Sequence, residues 1–196
     1  YVDNRDIKKT NRDSIRAVSL IRSYRQRGHL ISNVDPLELR EIEYLDELHP
    51  ESYGFNKEDY KKKIYLDGIT NKDYSNIREL LSFLKQTYCG SIGYEYMHIS
   101  NPSERKWIRD RIEKDENALQ FTQNGKNAIL NKLIQAEGFE KFLNTKFVGT
   151  KRFGLDGGES LIPALEQIIK RGGNLGVKEI KIGMPHRGRL NVLANV

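Results

Sequence analysis

The chain has 196 residues, enough for one large domain or two small ones. Hydrophobic residues make up 37% and charged residues 31%, which supports a core but leaves a heavily charged surface. No run of eighteen apolar residues occurs, so no transmembrane helix is expected. The single cysteine, Cys89, excludes an internal disulfide and fits a reducing compartment. A formal net charge of +6 raises the question of nucleic acid. The charges are interspersed, as in Arg105-Lys106 and Arg109-Asp110-Arg111, with no zinc-ligand spacing and no aromatic-rich RNA-binding signature. A solvated, lysine-rich surface is the better account, and neither nucleic acid nor a membrane is expected as a partner. The first residues, Tyr1-Val2-Asp3-Asn4-Arg5, hold no initiator methionine and no apolar signal core, and read as a cut inside a longer protein.

The first predicted helix covers 11–27. Ile15, Val18, Ile21 and Tyr24, with Leu20, make its apolar stripe, and Gly28 stops it. Asp35-Pro36 has the form of an N-cap followed by a first-turn proline, so a second helix is expected over 38–47, with Leu39, Ile42, Leu45 and Leu48 inward. Residues 51–74 are polar and read as loop, with a short helix near Glu58 and an extended piece at Ile64-Tyr65-Leu66. Helices follow over 75–88 (Ile77, Leu80, Leu81, Leu84), over 102–112 (Trp107, Ile108, Arg111, Ile112 toward the packed side) and over 125–144, the last split near Gly138. No repeat or low-complexity tract is visible.

From Lys151 the pattern changes. Asp156 with Glu159 has the spacing of a capping box for a helix bearing Leu161, Ile162, Leu165, Ile168 and Ile169, ended by Gly172-Gly173. Apolar alternation through Ile180, Ile182 and Met184 predicts a strand over 177–183, then a turn and a helix on Leu190, Val192, Leu193 and Val196. The expected fold is therefore mainly α. Residues 1–115 form an N-terminal helical domain, and 116–196 are the truncated start of an α/β domain.

The turn after that strand, Pro185-His186-Arg187-Gly188-Arg189, carries the chemistry. Ligands of open α/β sheets lie beyond the carboxyl ends of strands, and a helix start flanked by arginines suits an anion. His186, beside two arginines, reads either as an active-site group or as a histidine that hydrogen-bonds its own turn. Gly188 permits a tight turn or a close backbone approach. Arg189 reads as a salt-bridge partner and Arg152 as a neighbour of the site. His29, His49 and His98 are separated singles without metal-ligand spacing. Cys89 lacks an adjacent cationic cluster and reads as buried and inert.

Four segments in order carry a resemblance. YRQRGHL (24–30) followed by Asp35-Pro36-Leu37, YCGSIGYEYMHI (88–99), KRFGLDGGE (151–159) and GMPHRGRLNVLANV (183–196) resemble the thiamine-diphosphate-dependent E1 components of 2-oxoglutarate dehydrogenase complexes. The resemblance implies that His186 is catalytic, beside the thiazolium ring and the 2-oxo acid. It implies that Arg187 is cofactor-binding, on the diphosphate. It also implies thiamine diphosphate with Mg2+ as cofactors, a homodimer, and two partners: a lipoyl-bearing succinyltransferase (E2) and dihydrolipoamide dehydrogenase (E3). The location implied is the cytoplasm of a bacterium or the mitochondrial matrix.

The family's Gly-Asp-Gly or Gly-Asp-Ala motif followed by Asn, which holds the magnesium ion, does not occur in this sequence. The metal ligands are thus expected outside this chain, no metal-binding residue is expected within it, and these residues alone are expected to be inactive. Alternatives within the family are a 2-oxoadipate dehydrogenase E1 and a non-oxidative 2-oxoglutarate decarboxylase. From a different class, a non-catalytic basic helical interaction module would suit the first half but gives no reason for residues 151–196.

Overall fold

The computed structural model describes residues 4–70, 72–114 and 121–196. The chain divides into two compact units, Tyr1–Ala118 and Leu119–Val196. The domain boundary expected at 115/116 falls outside the described residues. The fold is mainly α, as the sequence predicts. Among the described residues no helix is long and apolar enough to cross a membrane.

In the first unit, α1 (Asn4–Arg27) buries Ala17, Leu20, Ile21 and Tyr24 at the i, i+3, i+4, i+7 spacing of one helical face. Ile15, expected inward, is exposed. Gly28 follows because a β-carbon there would lie 2.7 Å from the Tyr88 β-carbon. Residues 35–45 do not form the expected helix. The Asp35 carboxylate instead accepts from the backbone amides of Leu37, Leu39 and Arg40, and these bonds hold its pKa below the ordinary carboxylate value. Glu38 turns left-handed at φ 53°. With Leu39 81% exposed, a helix there would have no surface on which to bury its apolar face.

A 3-10 turn at Lys57–Lys61 precedes the antiparallel pair β1 (Ile64–Tyr65) and β2 (Tyr74–Ser75), so this unit is not purely helical. Asn76 caps α2 (Ile77–Tyr88), which buries Ile77, Leu80, Leu84 and Tyr88. Asn101 caps α3 (Pro102–Ile112), where Ile108 and Ile112 pack inward. Trp107, expected to pack, is exposed beneath the Arg111 guanidinium. At the centre, Arg25 donates from Nε and Nη2 to the two Glu113 carboxylate oxygens at 2.7 and 2.8 Å, and Tyr88 donates to Oε1 at 2.6 Å. Burial works against the Arg25 charge, but the hydrogen bond and charge of Glu113 outweigh it and raise its pKa.

In the second unit, α4 (Gln123–Lys146), capped by Thr122, runs unbroken through Gly138. Gly138 is exposed, and a 24-residue helix absorbs its cost of about 1 kcal/mol. Helices α5 (Leu161–Asn174) and α6 (Arg189–Asn195) pack on α4 and on each other. Ala136, Leu155, Ile162 and Val192 form the small core. The strand expected over 177–183 is not formed. That segment has no regular structure and leaves Val177, Ile180 and Ile182 exposed, because a strand needs a paired neighbour and none lies beside it among the described residues.

A candidate active-site turn at the start of α6

Two turns meet at the start of α6. Gly188 adopts φ +71°, and the Leu155 side chain occupies the space a β-carbon would take. Both reasons for a glycine thus hold at one residue. Its amide donates to the Phe153 carbonyl at 2.6 Å. His186, on the exposed side of this turn, has its ring centroid 5.6 Å from that of Phe153. The imidazole nitrogens make no hydrogen bond among the described residues, so a histidine bonded to its own turn is not what the geometry shows.

Arg187 holds the neighbouring turn. Its Nε donates to the Leu155 carbonyl at 3.1 Å, and its Nη2 donates to the carbonyls of Leu155 and Asp156 at 2.7 and 2.9 Å. Nη1 alone remains without a hydrogen bond among the described residues. Asp156 does not cap α5: it sits at φ 43°. The capping box is replaced by the Glu159 carboxylate accepting from the Gly157 amide at 3.0 Å. That bond, with the Glu159 amide and the Arg187 charge behind it, lowers the Glu159 pKa.

Arg152 uses Nη1 and Nη2 on the end of α4. It donates to the carbonyls of Leu143 and Phe147, to Thr150 Oγ1 and to Asn144 Oδ1, closing the C-terminus of α4. Arg189 forms no ion pair among the described residues. His49 stacks on Tyr44 at 4.2 Å, His98 is exposed, and His29 has an Nδ1 without a partner. Cys89 is half-buried rather than buried, and burial pushes its thiol up to about 11.

Three residues that sequence reasoning left without a role complete the site: Phe153, Glu140 and Asn191. Asn191 could have been flagged, since an amide between Leu190 and Val192 on a packing helix calls for a buried partner. Glu140, on an otherwise ordinary helix, gives no such signal.

The residues present fit one part of a thiamine diphosphate site. They offer one free guanidinium edge and an unencumbered imidazole, but among the described residues no group of three or more His, Cys, Asp or Glu could hold a metal ion. A hollow of about 170 Å³ lies beside Glu140, Phe153 and Asn191. That is smaller than the roughly 300–1,000 Å³ of small-molecule sites.

The chain is 58% identical over 193 residues to proteins named 2-oxoglutarate dehydrogenase E1 component from Brucella canis, Brucella suis and Brucella abortus. Over this stretch the chain is similar to a segment of 2-oxoglutarate dehydrogenase E1 components. The match covers 97% of this chain and 19% of each relative. No family model matches the chain. The turn at 186–188 described above lies in a segment that resembles this family by motif as well.

Proposed function

We propose that this chain is part of an E1 component that carries out thiamine-dependent oxidative decarboxylation of 2-oxoglutarate. In this reading the succinyl group passes to a lipoyl carrier in the citric acid cycle. The observation that carries the reading is 58% identity across 97% of the chain. The exposed His186 imidazole and the clamped turn beneath it support it.

Thiamine diphosphate, when bound, supplies the electron sink for the carbon that loses carbon dioxide. His186 hydrogen-bonds the carbonyl or carboxylate of the 2-oxo acid, or carries a proton at that carbon. Both ring nitrogens are free to do so, and Phe153 limits the ring's orientation. Arg187 would hold the diphosphate through its remaining Nη1, while Nε and Nη2 keep the 155–156 turn in place. A lysine would keep the charge and lose both the fork and the clamp. The ligands of Mg2+ come from outside this chain. The assembly that fits this reading is a homodimer served by the lipoyl-bearing succinyltransferase and dihydrolipoamide dehydrogenase. Its place is the bacterial cytoplasm or the mitochondrial matrix.

The test uses the full-length protein with thiamine diphosphate and Mg2+, offered 2-oxoglutarate and 2-oxoadipate in parallel. Carbon dioxide release should favour 2-oxoglutarate. One methylene is worth only about 1–3 kcal/mol in a pocket, so a preference for 2-oxoadipate would move the reading to that substrate, and no release from either would end it. His186→Ala should cut single-turnover decarboxylation on the order of 10²–10⁴-fold with cofactor affinity kept. Arg187→Lys should weaken cofactor binding by about 1.5–3 kcal/mol.

A further inference from the structure

We infer that Glu140 and Asn191 are positioning residues for His186, with one carboxylate on α4 tying together the two turns that carry it. This rests on the reading of His186 given above. Glu140 Oε1 accepts from the Leu155 backbone amide at 2.7 Å and from Asn191 Nδ2 at 2.9 Å. Those donors, Leu155 and Asn191, belong to different turns and lie 36 residues apart in sequence. Leu155 also gives its carbonyl to Arg187, and its neighbour Phe153 accepts from Gly188 and lies against the His186 ring. Asn191 lies in α6, four residues beyond Arg187, and is only 1% exposed.

Both donors of the Asn191 amide are used, and its oxygen has a partner. Nδ2 also donates to the Ala136 carbonyl at 2.9 Å, and Oδ1 accepts from Asn195 Nδ2 at 2.7 Å. The start of α6 is therefore fixed to α4 by two hydrogen bonds from one amide nitrogen, while the amide oxygen is held within α6 by Asn195. His186 has no side-chain hydrogen bond of its own, so its direction follows from the backbone that this clamp holds. A carboxylate suits the post, because a charged acceptor serves two donors through one oxygen more strongly than a neutral amide does. Gly154 leaves the room: a β-carbon there would lie 2.7 Å from Glu140 Oε2.

The full-length enzyme tests this with Glu140→Ala, Glu140→Gln, His186→Ala and the Glu140→Ala/His186→Ala pair. Decarboxylation is measured per cofactor-loaded site, and thiamine diphosphate affinity by calorimetry. Glu140→Ala should lower decarboxylation on the order of 10–10²-fold, as a displaced group does, with cofactor affinity unchanged within about twofold. Glu140→Gln, which retains an acceptor, should recover most of the loss. On the His186→Ala background, Glu140→Ala should cost no more than about twofold further, because it acts through the missing imidazole. Multiplicative losses in the pair, or normal activity per loaded site in Glu140→Ala, would overturn the inference while leaving His186 in place. Normal decarboxylation by His186→Ala would instead remove the underlying reading.

If Glu140→Ala does not fold, Asn191→Asp answers the same question. It sets two carboxylates together, and such a pair holds one proton more tightly. Its activity should rise as pH falls relative to the parent enzyme, and a profile parallel to the parent's would overturn the inference.

Discussion

Among the described residues, the N-terminal unit gathers fourteen buried apolar side chains into one cluster, whereas the second unit gathers four. Polar groups that enter the first core close on one another, as Arg25, Glu113, Tyr88 and Tyr96 do. In the second unit the turns are held by hydrogen bonds to Glu140 and from Arg187, while Phe142, Val148, Ile168 and Leu193 stay exposed. A hydrogen bond adds a net of only about 0.5–1.5 kcal/mol, and burying a large apolar side chain adds about 1.5–3 kcal/mol. The first unit is therefore stabilised by burial around a shielded ion pair, and the second is shaped by a few polar ties.

The largest effect should come from stranding a buried charge in the first unit. Glu113→Ala leaves the Arg25 guanidinium uncompensated and should destabilise by about 3–5 kcal/mol, read from urea unfolding followed by Trp107 fluorescence. Replacing both partners together, Arg25→Met with Glu113→Leu, should recover most of that. A mild effect of Glu113→Ala would break the comparison, because the ion pair would then not be part of the core.

The next effect belongs to the second unit. Gly188→Ala forces a β-carbon onto Leu155 in a left-handed turn, and overpacking of this kind costs about 1–3 kcal/mol. Hydrogen exchange should show faster opening at residues 153–156 and 188–192, with the N-terminal unit unaffected. Smaller again are the helix caps. Asn76→Ala on α2 and Thr122→Ala on α4 each remove an amide acceptor worth about 1 kcal/mol. The α2 loss should appear as global destabilisation, and the α4 loss as local fraying, since the first turn of α4 contributes nothing to the small core.

Alkaline pH separates the units last. Burial pushes the Tyr24 and Tyr88 phenols up, with the Glu113 charge adding to Tyr88. Burial and a hydrogen bond to Glu51 push Tyr60 up to about 12. These folded values lie above the ordinary phenol value of about 10. Their contribution is fully present below that value and is lost as pH rises through the folded ones. All ten tyrosines lie within the first 96 residues. Tyrosinate absorbance should track unfolding of the N-terminal unit above about pH 10. A tyrosine titration complete before any loss of α1–α2 packing would contradict the burial described here.

Much of this was legible in the sequence where local chemistry and packing agree. The spans of α2 and α3 follow from Leu80, Leu84, Ile108 and Ile112 as inward residues. The expectation failed where a pattern lacked a surface to act on. Leu39 and Ile42 have helical spacing and nothing beneath them; Ile180 and Ile182 alternate without a neighbouring strand. In the site, the motif drew attention to His186 and Arg187. The use of Arg187 as a backbone clamp could not be read, because its acceptors are carbonyls 31 and 32 residues away. Glu140 was invisible for the same reason: its role is made by where two distant turns land.

The contact between Phe153 and His186 also has an optical consequence. The second unit contains neither tryptophan nor tyrosine, so it is dark against the signal of Trp107. A tryptophan placed at Phe153 would be its sole emitter, with an imidazole beside it that quenches when protonated. In a Trp107→Phe background, that emission would report the protonation of His186 directly, and would change when any ligand came between the two rings.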